Sequence, residues 1–352
     1  MALYDTLRPL LFKLDPEMAH RLALYSLGVA QRSGFAHRIA APPAGLPVNV
    51  FGISFPNPVG LAAGLDKNAE HLDALDSLGF GFIEVGTVTP QPQPGNDKPR
   101  MFRLPGHEAI INRMGFNNDG VDALVRNVQQ ASYHGVLGIN IGRNKDTPNE
   151  KAVNDYLACL HKVYAHASYI TVNISSPNTA GLRDLQQEDT LYKFISVLRA
   201  AQERLGSQHG RRKPMLLKIA PDLSEPELDA IAGVLLRTGI DGVICSNTTV
   251  NHAAVADDPH GGETGGLSGK PLFERSTAVL AGMQQRLQGR IPLIGVGGIL
   301  EGSDAAEKLD AGASLVQLYS GLIYRGPPLI AECVNEIRRQ REASREGLTD
   351  VG

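Results

Sequence analysis

Eight short β-type runs, alternating with helical stretches, constrain this chain more than any other feature it has. They cover residues 59–63, 81–87, 136–141, 169–174, 215–219, 242–246, 292–296 and 314–319. Between them lie helical candidates at 121–130, 191–205, 225–238 and 303–311. Strands that alternate with helices build βαβ units and therefore a parallel sheet. Eight such units predict an α/β fold of one kind, a closed (β/α)8 barrel of the TIM type, rather than an open sheet. For 352 residues a length prior alone suggests two or three domains, but α/β barrels of this size form one. The interval 89–117 is too long for a simple βα loop and carries Pro90, Pro92, Pro94 and Pro99. An ordered excursion over the barrel mouth is expected there.

The first 40 residues read differently. Leu3, Leu7, Leu10, Leu11 and Leu14 recur at helical spacing. Asp15 then reads as an N-cap with Pro16 at the first helical position, and Met18, Leu22, Tyr25 and Val29 line one face of a second helix. Five basic residues (Arg8, Lys13, Arg21, Arg32, Arg38) face three acids (Asp5, Asp15, Glu17), so the segment is a mildly basic amphipathic hairpin. Two readings stand equally: a cap packed on the main domain, or a contact with a membrane interface that admits an apolar substrate. The stretch Ala41-Pro42-Pro43-Ala44-Gly45 separates it from the rest. The expected division is therefore a helical segment over 1–40 and a barrel over 46–340.

Several function classes drop out. A formal net charge of −3 argues against a general nucleic-acid binder. Cys159, Cys245 and Cys333 are an odd, sparse set without a CxxC, which fits buried thiols in a reducing compartment and neither disulfides nor zinc. There is no HExxH and no clustered set of metal ligands, so no metal is expected. No apolar run approaches the roughly 18 residues that span a bilayer. Asp5, Asp15 and Glu17 also interrupt the N-terminus too early for a secretory signal.

In this barrel type the functional residues lie at the C-terminal ends of the strands. Those ends read Ala63-Gly64-Leu65-Asp66-Lys67, Gly86-Thr87, Asn140-Ile141-Gly142, Asn173-Ile174-Ser175-Ser176-Pro177-Asn178, Lys218, Ser246-Asn247-Thr248, Gly295-Val296-Gly297-Gly298 and Tyr319-Ser320-Gly321. Side-chain amides both donate and accept, which suits a ligand rich in carbonyl and N–H groups. The last two ends resemble a phosphate site, because glycines let backbone N–H groups approach an anion. With no GxGxxG after a first strand, a mononucleotide is favoured over a dinucleotide. Lys67 and Lys218 each follow an apolar run. One lysine could stabilise negative charge on a reduced flavin, and the other could pair with a substrate carboxylate or the cofactor. No GxSxG elbow is present. The histidines are scattered, which leaves a serine of the fourth end as the best proton acceptor. Such a pocket would also suit a dihydropyrimidine or dihydrouridine oxidoreductase, or a barrel that only binds a nucleotide.

The motifs Ala62-Ala63-Gly64-Leu65-Asp66-Lys67, Asn112-Arg113-Met114-Gly115-Phe116-Asn117-Asn118, Asn173-Ile174-Ser175-Ser176-Pro177-Asn178, Lys218-Ile219-Ala220-Pro221-Asp222, Gly265-Gly266-Leu267-Ser268-Gly269 and Gly295-Val296-Gly297-Gly298-Ile299 go further. With them the chain resembles the quinone-dependent class of dihydroorotate dehydrogenases over essentially its whole length. The resemblance implies a flavoprotein of pyrimidine biosynthesis that binds FMN through Ala63, Gly64, Leu65, Asp66, Lys67, Thr87, Asn140, Asn173, Lys218, Ser246, Gly269, Gly298, Tyr319 and Ser320. It implies a dihydroorotate site made of Lys67, Asn112, Arg113, Met114, Gly115, Phe116, Asn173, Asn178, Asn247 and Thr248. Ser176 is implied as the base that takes the proton from C5 while hydride leaves C6. The soluble class carries cysteine there, so Ser176 and the N-terminal hairpin both point to the quinone class. Ser246 departs from the commoner threonine but keeps the hydroxyl. The resemblance further implies a quinone acceptor, a monomer, and peripheral attachment to the cytoplasmic face of the cell membrane.

Overall fold

The computed structural model describes residues 3–34 and 42–349; residues 35–40 of the N-terminal segment, including Arg38, and Ala41 of the linker lie outside them. Thirteen strands are described: β1 (Val48–Val50), β2 (Ile53–Phe55), β3 (Val59–Leu61), β4 (Phe82–Val88), β5 (Met101–Leu104), β6 (Ala109–Asn112), β7 (Val136–Ile141), β8 (Tyr169–Asn173), β9 (Met215–Ile219), β10 (Gly242–Cys245), β11 (Gly266–Gly269), β12 (Leu293–Val296) and β13 (Ala313–Leu318). The helices are α1 (Leu3–Leu11), α2 (Pro16–Arg32), α3 (Leu72–Asp76), α4 (Val121–Gln130), α5 (Ala152–Val163), α6 (Glu188–Gln208), α7 (Glu225–Thr238), α8 (Phe273–Leu287), α9 (Gly302–Asp310), α10 (Ser320–Arg325) and α11 (Pro328–Thr349). Eight parallel strands close in chain order, β3-β4-β7-β8-β9-β10-β12-β13 and back to β3, as the eight runs predict. Helices on the outside bury their apolar faces against the barrel, and the interiors of the strands are almost wholly buried.

The N-terminal end of the barrel is plugged. The antiparallel pair β1–β2, which the sequence reading did not anticipate, packs Val50, Ile53 and Phe55 onto Phe82, Val136, Tyr169 and Leu216. Phe55 meets Phe82 edge to face at 5.2 Å. Gly60 is required beside this plug, because a Cβ there would lie 2.3 Å from Phe82. Ligands must therefore enter from the C-terminal end.

The expected excursion is ordered. Its strands β5 and β6 form a hairpin, and β11, contributed by the segment after β10, completes a three-stranded antiparallel sheet in the order β11-β6-β5.

At the N-terminus Asp15 caps α2, accepting from the Met18 N–H at 3.0 Å, and Pro16 opens the helix. One detail of the hairpin runs against a simple cap. Met18, Leu22, Tyr25 and Val29 are 58%, 44%, 64% and 43% exposed rather than packed into the core. The buried residues of α2 are Ala19, Leu24 and Gly28. The hairpin is held instead by polar anchors. Arg100 forks onto Glu17 at 2.7 and 3.2 Å, Arg8 donates to the Tyr324 carbonyl at 2.6 Å, and Arg103 donates to the Leu11 carbonyl at 3.1 Å and to that of Leu14. Anchoring by one buried arginine, Arg100, and two half-buried ones, Arg8 and Arg103, leaves much of the leucine-rich face out of the core. Among the described residues no helix is long and apolar enough to cross a membrane.

Candidate active site

The strand ends converge on a cavity of about 140 Å³ at the C-terminal end of the barrel. Of the residues expected from the sequence, Ala63, Gly64, Lys67, Thr87, Asn112, Met114, Gly115, Phe116, Asn173, Ser176, Asn178, Lys218, Ser246, Asn247, Thr248, Gly269, Gly298, Tyr319 and Ser320 line it. Four expected residues lie off the wall. Leu65 faces a second cavity. Asp66 turns into the protein, where its carboxylate accepts from the N–H groups of Glu70 and His71 at 2.9 and 2.8 Å. Arg113 pairs with Glu263 at 2.7 Å. Asn140 sits one layer lower. Its Oδ1 accepts from Thr87 Oγ1 at 2.6 Å and from Asn173 Nδ2 at 3.2 Å.

The two adjacent serines divide cleanly. Ser175 is consumed by structure: it donates to Asn173 Oδ1 at 3.0 Å and accepts from Asn247 Nδ2 at 2.9 Å, which fixes both amides. Ser176 is 6% exposed and lines the cavity. Its Oγ accepts from the Asn178 N–H at 3.2 Å. The loop above is pinned by the excursion, where Asn96 Nδ2 donates to the Arg113 carbonyl at 2.9 Å and Gln93 Nε2 to that of Gly115 at 3.0 Å. Asn178 Nδ2 ties this loop to the serine segment through the Asn112 carbonyl at 3.1 Å.

Two lysines supply the charge, and among the described residues no carboxylate lines the cavity. Lys67 donates to Asn117 Oδ1 at 2.6 Å. Burial, helped by the nearby Arg100 cation, pulls its pKa down to about 8. A bound anion would favour its charged form further. Burial also lowers Lys218, against the opposing pull of Glu84, and no described residue accepts a hydrogen bond from its ammonium.

Glu84 was missed by sequence reasoning. Fully buried inside the barrel, it accepts from Asn140 Nδ2 (2.8 Å), Tyr169 Oη (2.9 Å), Thr171 Oγ1 (3.1 Å) and Gln317 Nε2 (2.9 Å). It thus forms the floor under the amide layer. The signal was available: it is the one acid in the otherwise uncharged strand FIEVGTV.

Polar atoms are left over for a ligand. Thr248 Oγ1 and Gln317 Oε1 are buried without a hydrogen-bond partner, and both residues line the cavity. At the expected phosphate end Gly298 adopts φ +80°, and a Cβ there would lie 2.4 Å from Phe273 Cα. Such a cradle of close backbone suits an anion. Orphaned acceptor and donor sites, an uncommitted ammonium and a glycine cradle together fit a flat heterocycle carrying a phosphate.

A second cavity of about 600 Å³ lies between the hairpin and the barrel. Leu7, Leu10, Leu11, Leu22 and Leu27 belong to its walls. Among the described residues Arg103 is its one fixed charge, since burial drives the His20 pKa down to about 4 and keeps the imidazole neutral. The two cavities have a single wall residue in common, Tyr319.

A family model described as dihydroorotate dehydrogenase matches residues 45–340. A dihydroorotate dehydrogenase (quinone) of Stenotrophomonas maltophilia strain K279a is 62% identical over 346 residues, covering 98% of this chain and 99% of its own. One from Flavobacterium lutescens is 60% identical over 350 residues, covering 99% and 100%. Among solved structures, a dihydroorotate dehydrogenase from Eimeria tenella in complex with ferulenol superposes with a TM-score of 0.86 at 40% identity, over 94% of this chain and 93% of that one.

Proposed function

From the premise that the chain belongs to the dihydroorotate dehydrogenase family, we propose how its own residues carry the reaction. It is a flavin-dependent oxidoreductase that oxidises dihydroorotate to orotate in pyrimidine biosynthesis, with a quinone as acceptor. The flavin is FMN, in keeping with a single glycine cradle beside Gly298 and the orphaned Thr248 and Gln317 oxygens. Ala63, Gly64, Thr87, Asn173, Lys218, Ser246, Gly269, Gly298, Tyr319 and Ser320 would hold it; Leu65, Asp66 and Asn140 would shape and brace that wall from behind. The chemistry a bound flavin supplies is acceptance of the hydride from C6 of dihydroorotate. Lys67 and the amides of Asn112, Asn173, Asn178 and Asn247 bind and orient the substrate, Met114, Gly115, Phe116 and Thr248 close over it, and Arg113 holds that loop through Glu263. Ser176 Oγ takes the proton from C5 as its own hydroxyl proton passes on through water.

The observation that carries this reading is the meeting of Ser176, two lysines and the amide layer around one cavity. Anaerobic mixing with dihydroorotate tests it: the flavin absorbance should bleach, and a flavin that stays oxidised overturns the assignment. Gly298→Ala should sharply lower the flavin-to-protein ratio after purification, because backbone cannot move away from a Cβ at 2.4 Å. Full occupancy in that variant would move the phosphate elsewhere.

The larger cavity gives the quinone its route. It is apolar, reaches Tyr319 at the edge of the flavin site, and is walled by helices whose outward residues are apolar. Residues 1–40 then act as the membrane contact and 46–340 as the catalytic barrel. The protein sits peripherally on the cytoplasmic face of the cell membrane, and since one chain supplies both cavities a monomer suffices. Replacing Leu10, Met18 and Tyr25 together by glutamate removes three exposed apolar groups. Oxidation by quinone embedded in vesicles should fall about tenfold or more, while reduction by dihydroorotate stays unchanged. Equal loss of both half-reactions would make the hairpin a structural cap. Offering quinone, fumarate and NAD in turn after dihydroorotate reduction identifies the acceptor.

A further inference from the structure

Lys308, on α9, lines neither cavity and is fully buried at 0% exposure. Its ammonium donates to Ser276 Oγ at 2.6 Å and Thr277 Oγ1 at 2.8 Å, both near the start of α8. It also lies 4.8 Å over the Phe273 ring. A lysine kept this dry is expensive, and burial pulls its pKa down to about 7 against the opposing pull of Cys245, Glu307 and Asp304. None of the steps above uses it.

The hydrogen bonds lead from Lys308 to the glycine cradle. Lys308 occupies a lone pair of Ser276 Oγ and leaves that hydroxyl its one proton to give. Two carbonyls lie within reach, those of Phe273 and Gly297, each at 3.0 Å. The Phe273 carbonyl already accepts from Thr277 Oγ1 at 2.8 Å, whereas no other described residue donates to Gly297. The chain therefore runs from ammonium to hydroxyl to the Gly297 carbonyl. That carbonyl belongs to the same peptide unit as the Gly298 N–H, on the wall of the small cavity. Hydrogen bonds in series polarise one another, so drawing electron density toward the carbonyl strengthens the N–H as a donor.

We propose that Lys308 is a positioning residue for the cofactor phosphate: through Ser276 it polarises and fixes the Gly297–Gly298 peptide, and so sets the preference for a phosphorylated flavin over an unphosphorylated one. The inference rests on the FMN reading above. Its test compares FMN with riboflavin, which shares the ring but carries no phosphate. Holoenzyme is prepared for wild type, Lys308→Met and Ser276→Ala, and retention of each flavin is followed by the fluorescence released on dilution. Both variants should retain FMN about tenfold less well, with riboflavin retention moved less than about twofold. Ser276→Ala keeps the buried cation and removes only the link, so it answers the question even if Lys308→Met fails to fold. An unchanged FMN-to-riboflavin ratio in folded Ser276→Ala overturns the role of Lys308 and leaves the FMN reading standing. A wild type that shows no preference for FMN overturns the FMN reading itself.

Discussion

Ser176→Ala should reduce its flavin about 10²–10⁴-fold more slowly than wild type when mixed with dihydroorotate, the range that a positioned general base supplies. The flavin itself should stay bound, because the cradle proposed for it draws on other residues of the cavity wall, Gly298 and Lys218 among them. Substrate affinity should change little, since Lys67 and four asparagines still line the cavity. Ser175 cannot take over: its hydroxyl is committed between Asn173 and Asn247 at 3.0 and 2.9 Å. Ser176→Cys provides the complementary case. A thiol loses its proton more readily than a hydroxyl, so this variant should recover part of the rate with a steeper dependence on pH. Rapid-mixing absorbance under nitrogen measures all three proteins. A reduction rate for Ser176→Ala within a fewfold of wild type would remove Ser176 from the chemistry.

Glu84→Ala should unfold at a markedly lower denaturant concentration, losing about 3–5 kcal/mol, because four buried donors lose their acceptor at about 1–3 kcal/mol each, partly recovered as the barrel relaxes. Four donors on three strands converge on this carboxyl, Asn140 of β7, Tyr169 and Thr171 of β8 and Gln317 of β13, while Glu84 itself stands on a fourth strand, β4. Deleting the acceptor leaves all of those donors buried and unpaired, and each unpaired group is costly in a dry interior. Glu84→Gln keeps one acceptor oxygen and the volume, so its loss should be smaller. A loss below about 1 kcal/mol for Glu84→Ala would mean that water enters and replaces the carboxyl.

The barrel was legible because its strands carry a periodic signal. Each of the eight runs lies within two residues of an observed strand, and 121–130 and 225–238 coincide with α4 and α7. The cavity was legible for the same reason, since naming the strand ends names most of its wall. What escaped depends on side-chain direction. Asp66 and Lys67 are neighbours in sequence, yet Asp66 satisfies its own loop while Lys67 faces the cavity. Glu84 was hidden because an acid inside an apolar strand reveals its role only when four distant donors are seen around it. The plug β1–β2 is two strands of three residues each, too short for any period to show. The helical spacing of Met18, Leu22, Tyr25 and Val29 was visible, but spacing alone does not say whether such a stripe faces inward or outward.

Tyr319 as the single wall residue shared among the described residues means that the protein has two doors that meet at one side chain. With dihydroorotate in the smaller cavity and quinone in the larger, as proposed, each reactant would meet its own entrance, so neither would have to leave before the other arrives. A compound lodged behind the leucines of the hairpin would stop turnover while dihydroorotate still bound normally, and crowding it out with more dihydroorotate would fail. The molecule therefore offers inhibitors two separate addresses. The roomier one is shaped by the helical segment and not by the barrel chemistry, which frees it to differ between otherwise similar enzymes.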